Sequence, residues 1–169
     1  MNIVLIGYRG SGKSTIGRGL AARLGLGFVD TDELVVSRSG KSIRELFEQV
    51  GESGFRDLET AAVQEAAARD DMVISAGGGT VLRRENVTML KRNARVVWLS
   101  APAEVLFARI QADTQTAATR PNLTARGGLD EVRRLLAQRA PLYAALADVV
   151  VDVSDMDVPS AVRYLSEMV

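Results

Sequence analysis

The chain contains no cysteine and no histidine. The first absence removes disulfides, thiolate metal ligands and cysteine nucleophiles. The second removes imidazole ligands and any nucleophilic triad that needs an imidazole base. Net charge is missing too, because Lys plus Arg and Asp plus Glu each total 21. Nothing in that balance favours a nucleic-acid or membrane surface as partner. No apolar run reaches the length of a membrane span, and the short run Ile3 to Ile6 has no basic residues before it, unlike a signal peptide. A cytoplasmic protein is expected, and balanced charge without an obvious apolar patch favours a monomer. Chemistry is left to Asp, Glu, Lys, Arg, Ser, Thr and backbone amides. With 169 residues, 47% apolar and 25% charged, the composition suits one soluble domain with a sizeable core.

Short apolar runs alternate with helical patterns. Residues 2–6, 27–30, 72–76, 95–99 and 148–153 read as buried strands, with helices over 13–24, 42–50, 54–69, 83–92, 102–110, 130–144 and 159–168. Ser42 with Glu45 makes a capping box, and Pro102 and Pro159 fall where first-turn prolines belong. Strands that are continuously apolar and separated by helices predict an α/β fold, with a mostly parallel sheet covered on both faces. The polar stretch 111–128, rich in Thr and Ala and ending in paired glycines, reads as a mobile loop.

Gly7-Tyr-Arg-Gly-Ser-Gly-Lys-Ser-Thr15 follows the first strand, opens the first helix and satisfies the P-loop pattern G-x-x-x-x-G-K-[ST]. Its glycines let successive N–H groups converge on phosphate oxygens, and the helix N-terminus adds partial positive charge. Gly10, Ser11, Gly12, Lys13, Ser14 and Thr15 are therefore assigned to nucleotide binding, with Lys13 reaching the β and γ phosphates and Ser14 a ligand for Mg²⁺.

Ligands of parallel α/β sheets bind outside the carboxyl ends of the strands. The second strand ends in Asp30-Thr31-Asp32 and the third in Gly77-Gly78-Gly79, so both should meet the P-loop at one edge. Three consecutive glycines mean either a loose loop or a place where the backbone touches something closely. Asp30 and Asp32 have two readings: caps of a following helix, or one carboxylate for hydrated Mg²⁺ and the other for an acceptor hydroxyl beside the γ-phosphate. Asp30 is the candidate for the metal. Arg139 falls on the apolar line Val132, Leu136, Tyr143, and an inward guanidinium needs an anionic partner. Arg56 is either an exposed partner of Glu59 or, with Arg139, half of a clamp for a small carboxylate. Arg120 is either a solvated loop residue or a finger that reaches the transferring phosphoryl group.

With these residues in view, the chain resembles the shikimate kinase family. The resemblance rests on GYRGSGKST at 7–15, FVDTDELV at 28–35, GKSIRELFEQVGESGFRDLE at 40–59, AGGGTVL at 76–82, RPNL at 120–123 and QRAPLY at 138–143. It implies a three-layer α/β/α P-loop NTPase fold with a five-stranded parallel sheet, a substrate subdomain over about 31–60 and a lid over about 111–126. It also implies ATP and Mg²⁺, phosphorylation of the 3-hydroxyl of shikimate, and a place in aromatic amino-acid biosynthesis. By position, Asp32 matches the carboxylate on the substrate hydroxyls, and Arg56 and Arg139 match the clamp on its carboxylate. Gly77, Gly78 and Gly79 match a glycine loop against the acceptor ring, where a backbone N–H can bond the substrate. Phe47 and Phe55 match apolar walls, Asp30 and Ser14 the Mg²⁺ region, Lys13 and Arg120 the phosphate-contacting cations, and Arg109 the adenine side. A gluconate or nucleoside-monophosphate kinase shares the P-loop but has less use for two arginines with a triple glycine. A nucleotide-gated binding module keeps the P-loop without the acceptor constellation.

Overall fold

A computed structural model describes residues 1–113 and 127–169. Five strands, β1 (Asn2–Ile6), β2 (Gly27–Asp30), β3 (Met72–Ser75), β4 (Ala94–Ser100) and β5 (Val149–Asp152), form one sheet in the order β2-β3-β1-β4-β5. Every pairing is parallel. The central β1 is buried along its whole length, which is why its apolar run is continuous.

Alternate residues of β1 face two cores. Ile3 and Leu5 pack with Ile16 and Leu20 of α1 (Lys13–Leu24) and with Ala161 and Leu165 of α7 (Val158–Met168). Val4 and Ile6 pack on the other face with Val63, Leu90, Leu106 and Tyr143. These come from α3 (Ile43–Ala67), α4 (Arg84–Lys91), α5 (Ala103–Ala112) and α6 (Gly128–Leu146). The result is the three-layer α/β/α architecture.

Two departures from the sequence reading bear on the site. Residues 31–39 form a helix, α2 (Thr31–Ser39), capped by Asp30 and closed by Gly40 in the left-handed region at φ 69°. The stretches read as separate helices, 42–50 and 54–69, lie as expected on either side of a kink at Gly51 within α3, where the backbone has φ 70° and ψ −179°. Helices α2 and α3 share a core of their own around Val35, Ile43, Leu46 and Phe55. The ends of the stretch read as a loop are helical: α5 runs to Ala112, and α6 starts at Gly128. Most of the expected lid, with its 120–123 motif, lies outside the described residues.

Candidate active site

The P-loop joins β1 to α1 at the carboxyl edge of the sheet. A Cβ at Gly7 would come 2.6 Å from the Leu99 carbonyl oxygen, so only glycine lets the loop leave β1 this close to β4. Gly10 and Gly12 are left-handed, with φ 87° and 88°. Lys13 Nζ donates to the carbonyls of Gly7 at 2.8 Å and Tyr8 at 3.1 Å, which holds the ammonium within the loop. Asp30 is the helix cap and also faces Ser14 of the P-loop. Its Oδ1 accepts the amides of Asp32 and Glu33 at 2.9 and 3.1 Å as a helix cap, and its Oδ2 accepts the Ser14 hydroxyl at 2.5 Å. Ser75 Oγ, at the end of β3, lies 3.4 Å from Ser14 Oγ.

Gly10, Lys13, Ser14, Thr15, Asp30 and Arg109 line one wide pocket. Its donors of carboxylate and hydroxyl oxygen suit a hard cation that keeps several waters or phosphate oxygens. Among the described residues no group of three His, Cys, Asp or Glu side chains forms a protein cage for a metal. Arg109 donates to the carbonyls of Val153 at 2.7 Å and Ser154 at 3.3 Å, tying α5 to the loop after β5 at the rim of that pocket.

A second cavity, with about 520 Å³ of empty space including the solvent at its open mouth, adjoins the first. Asp32, Phe47, Phe55, Arg56, Gly79 and Arg139 line it. Arg9, Asp32 and Gly78 belong to both walls, so the two pockets meet at Asp32. Phe47 and Phe55 stack with ring centroids 4.7 Å apart and give the cavity an apolar side.

The glycines make room for the charged side chains around them. A Cβ at Gly77 would come 2.6 Å from Asp32 Oδ1 and 3.1 Å from Glu59 Oε2. At Gly79 it would overlap the Arg56 guanidinium, 2.5 Å from Cζ. At Gly78 it would lie 3.5 Å from Arg139 Nη1. The expected bare surface is therefore already covered in part by this chain's own carboxylate and guanidinium groups. The Gly77 amide is taken as well, donating to Thr31 Oγ1 at 2.9 Å. The Gly78 and Gly79 amides donate to no protein acceptor among the described residues.

Arg56 and Arg139 are 7% and 5% exposed, which rules out the solvated reading of Arg56. Its pairing with Glu59 is real, at 2.8 Å, but buried. Burial is the main influence on Glu59 and pushes its carboxyl above the ordinary value; Arg56 opposes this and Asp32 reinforces it. Arg139 makes no ion pair with a described carboxylate; its guanidinium sits 5.6 Å from the centre of the Tyr8 ring. Nε of each arginine is buried without an acceptor. Buried donors of this kind call for an anion.

A sequence profile of the shikimate kinases matches residues 9–169. The chain belongs to the shikimate kinase family. The shikimate kinase of Rhodopirellula baltica is 44% identical over 153 residues, 90% of this chain and 82% of that protein. That of Nitratidesulfovibrio vulgaris is 47% identical over 145 residues, 86% and 82% of the two chains. Among solved structures, shikimate kinase from Acinetobacter baumannii in complex with shikimate matches with a TM-score of 0.88 at 35% identity, covering 99% of this chain and 89% of that one.

For a shikimate kinase sequence, most of the expected residues converge. Asp32, Arg56, Gly78, Gly79 and Arg139 share one cavity, and Lys13, Ser14, Asp30 and Arg109 share the adjoining pocket. Arg120 lies outside the described residues. The sequence reading missed Thr31, Ser75 and Tyr143, and took Glu59 only as a surface partner of Arg56. For Thr31 and Ser75, position at a strand end was a usable signal. Tyr143 sat on the buried line of α6, which signalled packing but not its hydrogen bond.

Proposed function

We propose that this protein transfers the γ-phosphoryl group of ATP to the 3-hydroxyl of shikimate, giving shikimate 3-phosphate and ADP. In that reaction the bond from Pγ to the ADP oxygen breaks, a bond from Pγ to the 3-oxygen forms, and the hydroxyl proton leaves toward Asp32 or solvent. The observation that carries the reading is the buried Arg139, unpaired with any described carboxylate, which lines together with Asp32 a cavity that adjoins the P-loop pocket. Such a guanidinium is suited to the carboxylate of a small acceptor. Phosphoryl transfer passes through a loose transition state in most analyses, so alignment and charge neutralisation matter more than a strong base.

Mg²⁺ belongs to this reading. Ser14 and Asp30 would hold it with the nucleotide's phosphates, where it neutralises charge on the transferring group. Arg120 is assigned to the phosphoryl group and Arg109 to the adenine side. Residues 31–60 form the substrate subdomain and 111–126 the lid. The working form is a monomer in the cytoplasm with no nucleic-acid or membrane partner, consistent with the equal totals of 21 acidic and 21 basic residues. No described helix is long and apolar enough to cross a membrane.

The test is ADP release with Mg-ATP and, separately, shikimate, gluconate, AMP and no acceptor. Release with shikimate alone is expected. Release favouring gluconate or AMP would assign another kinase activity, and none with any acceptor would favour a nucleotide-gated binding module.

A further inference from the structure

We propose that two buried hydroxyls, Thr31 and Tyr143, are positioning residues that fix the glycine turn of the acceptor cavity. The inference rests on the proposed reaction for its kinetic readout. Thr31 is fully buried between Asp30 and Asp32, and its Oγ1 accepts the Gly77 amide at 2.9 Å. Tyr143, also fully buried, lies one helical turn beyond Arg139 on α6 and donates its hydroxyl to the Gly78 carbonyl at 2.6 Å. Burial pushes the Tyr143 hydroxyl well above its ordinary range, so it keeps the proton it donates. The Tyr143 ring is braced by Trp98 of β4, with centroids 5.6 Å apart. Thr80 closes the turn by donating Oγ1 to the Gly77 carbonyl at 2.8 Å.

A triple glycine is conformationally permissive, so its path must be set from outside. Thr31 sets it from the element that carries Asp32, and Tyr143 sets it from the element that carries Arg139. The amides of Gly78 and Gly79, which donate to no described acceptor, are thereby held at a fixed place relative to both side chains. Loss of either hydroxyl would let the turn drift from the acceptor while the P-loop, on its own hydrogen bonds, keeps its shape. The effect belongs to acceptor binding and not to nucleotide binding.

The experiment compares the wild type with Thr31→Val, Thr31→Ser, Tyr143→Phe and, as a control, Val151→Ala, which cuts the opposite core far from the turn. Steady-state ADP release is measured against shikimate and against Mg-ATP, with hydrogen exchange of the peptide spanning residues 76–82. Thr31→Val and Tyr143→Phe should each raise the shikimate KM about ten-fold, the consequence of one lost buried hydrogen bond, with the Mg-ATP KM within about two-fold. Exchange across the turn should quicken in both. Thr31→Ser should restore the wild-type KM, and Val151→Ala should lower thermal stability without moving it. A shikimate KM unchanged in both hydroxyl variants, a parallel rise in the Mg-ATP KM, or failure of serine to rescue would overturn the proposal. Should Tyr143→Phe fail to fold, the valine and serine variants decide. Absence of wild-type turnover with shikimate would defeat the proposed reaction instead, and unchanged exchange in Thr31→Val would then still overturn the positioning role.

Discussion

Replacing Gly79 with alanine tests why the glycines are there. The residue has φ −95°, which any residue adopts, so the new methyl group brings no backbone strain. Its Cβ would overlap the Arg56 guanidinium, 2.5 Å from Cζ. The backbone is anchored on both sides, by Leu82 N donating to the Gly79 carbonyl and by the Thr80 bonds to Gly77. The flexible end of Arg56 must therefore give way. Outright removal of one partner from a buried pair costs about 3–5 kcal/mol. A displaced arginine still lies near Glu59, which can also take up a proton, so a loss of about 1–3 kcal/mol is expected. Acceptor binding loses a charge-assisted contact of about 1.5–3 kcal/mol, a rise in shikimate KM of roughly ten- to hundred-fold. Gly78→Ala meets its neighbours only at 3.5 Å and should change that KM by no more than about three-fold. Gly77→Ala pushes on Asp32 and should act mainly on kcat. Kinetics on the three variants, with thermal unfolding alongside, give the comparison. A wild-type KM in Gly79→Ala, or equal damage from Gly78→Ala, would refute the crowding explanation.

Asp32→Asn should lower kcat by about 100-fold or more while Mg-ATP binding, followed by calorimetry, stays close to wild type. Weaker nucleotide binding would move Asp32 to the metal side. Asp30→Asn keeps oxygen and nitrogen at the helix cap but removes charge, so stability should change by less than about 1 kcal/mol while the Mg²⁺ concentration for half-maximal rate rises; an unchanged Mg²⁺ requirement would leave Asp30 as a cap alone. Glu59 gives a pH signature. Its folded value is raised above the ordinary 4.5, so the unfolded chain releases this proton first, and stability is lost as pH climbs from about 4.5 through the raised value. Glu59→Gln lacks that loss, and the stability of the wild type relative to the variant should fall across the window in denaturant titrations. A constant difference would show that Glu59 does not titrate this way.

The central strands and the P-loop were legible because their causes are local. β1 is apolar at nearly every position since both of its faces are covered, and the G-x-x-x-x-G-K-S spacing is itself the loop's geometry. Helix α2 was not read as an element, since nine residues with adjacent Val35 and Val36 show no long helical period; its existence depends on the cap from Asp30 and the left-handed Gly40. The spacing of Arg56 and Glu59 revealed a pair but not its burial. That burial comes from the glycine turn across the cavity, where missing side chains leave room for a guanidinium. The bond from Tyr143 to Gly78 spans 65 residues, and no periodicity within α6 encodes it.

Arg139 tests the central claim most directly, through its discrimination between shikimate and the uncharged methyl ester of shikimate. If its guanidinium holds the acceptor carboxylate, the wild type should favour the acid in kcat/KM by about ten-fold or more, and Arg139→Ala should lose most of that preference. An Arg139→Ala variant that keeps the wild-type ratio would contradict the account.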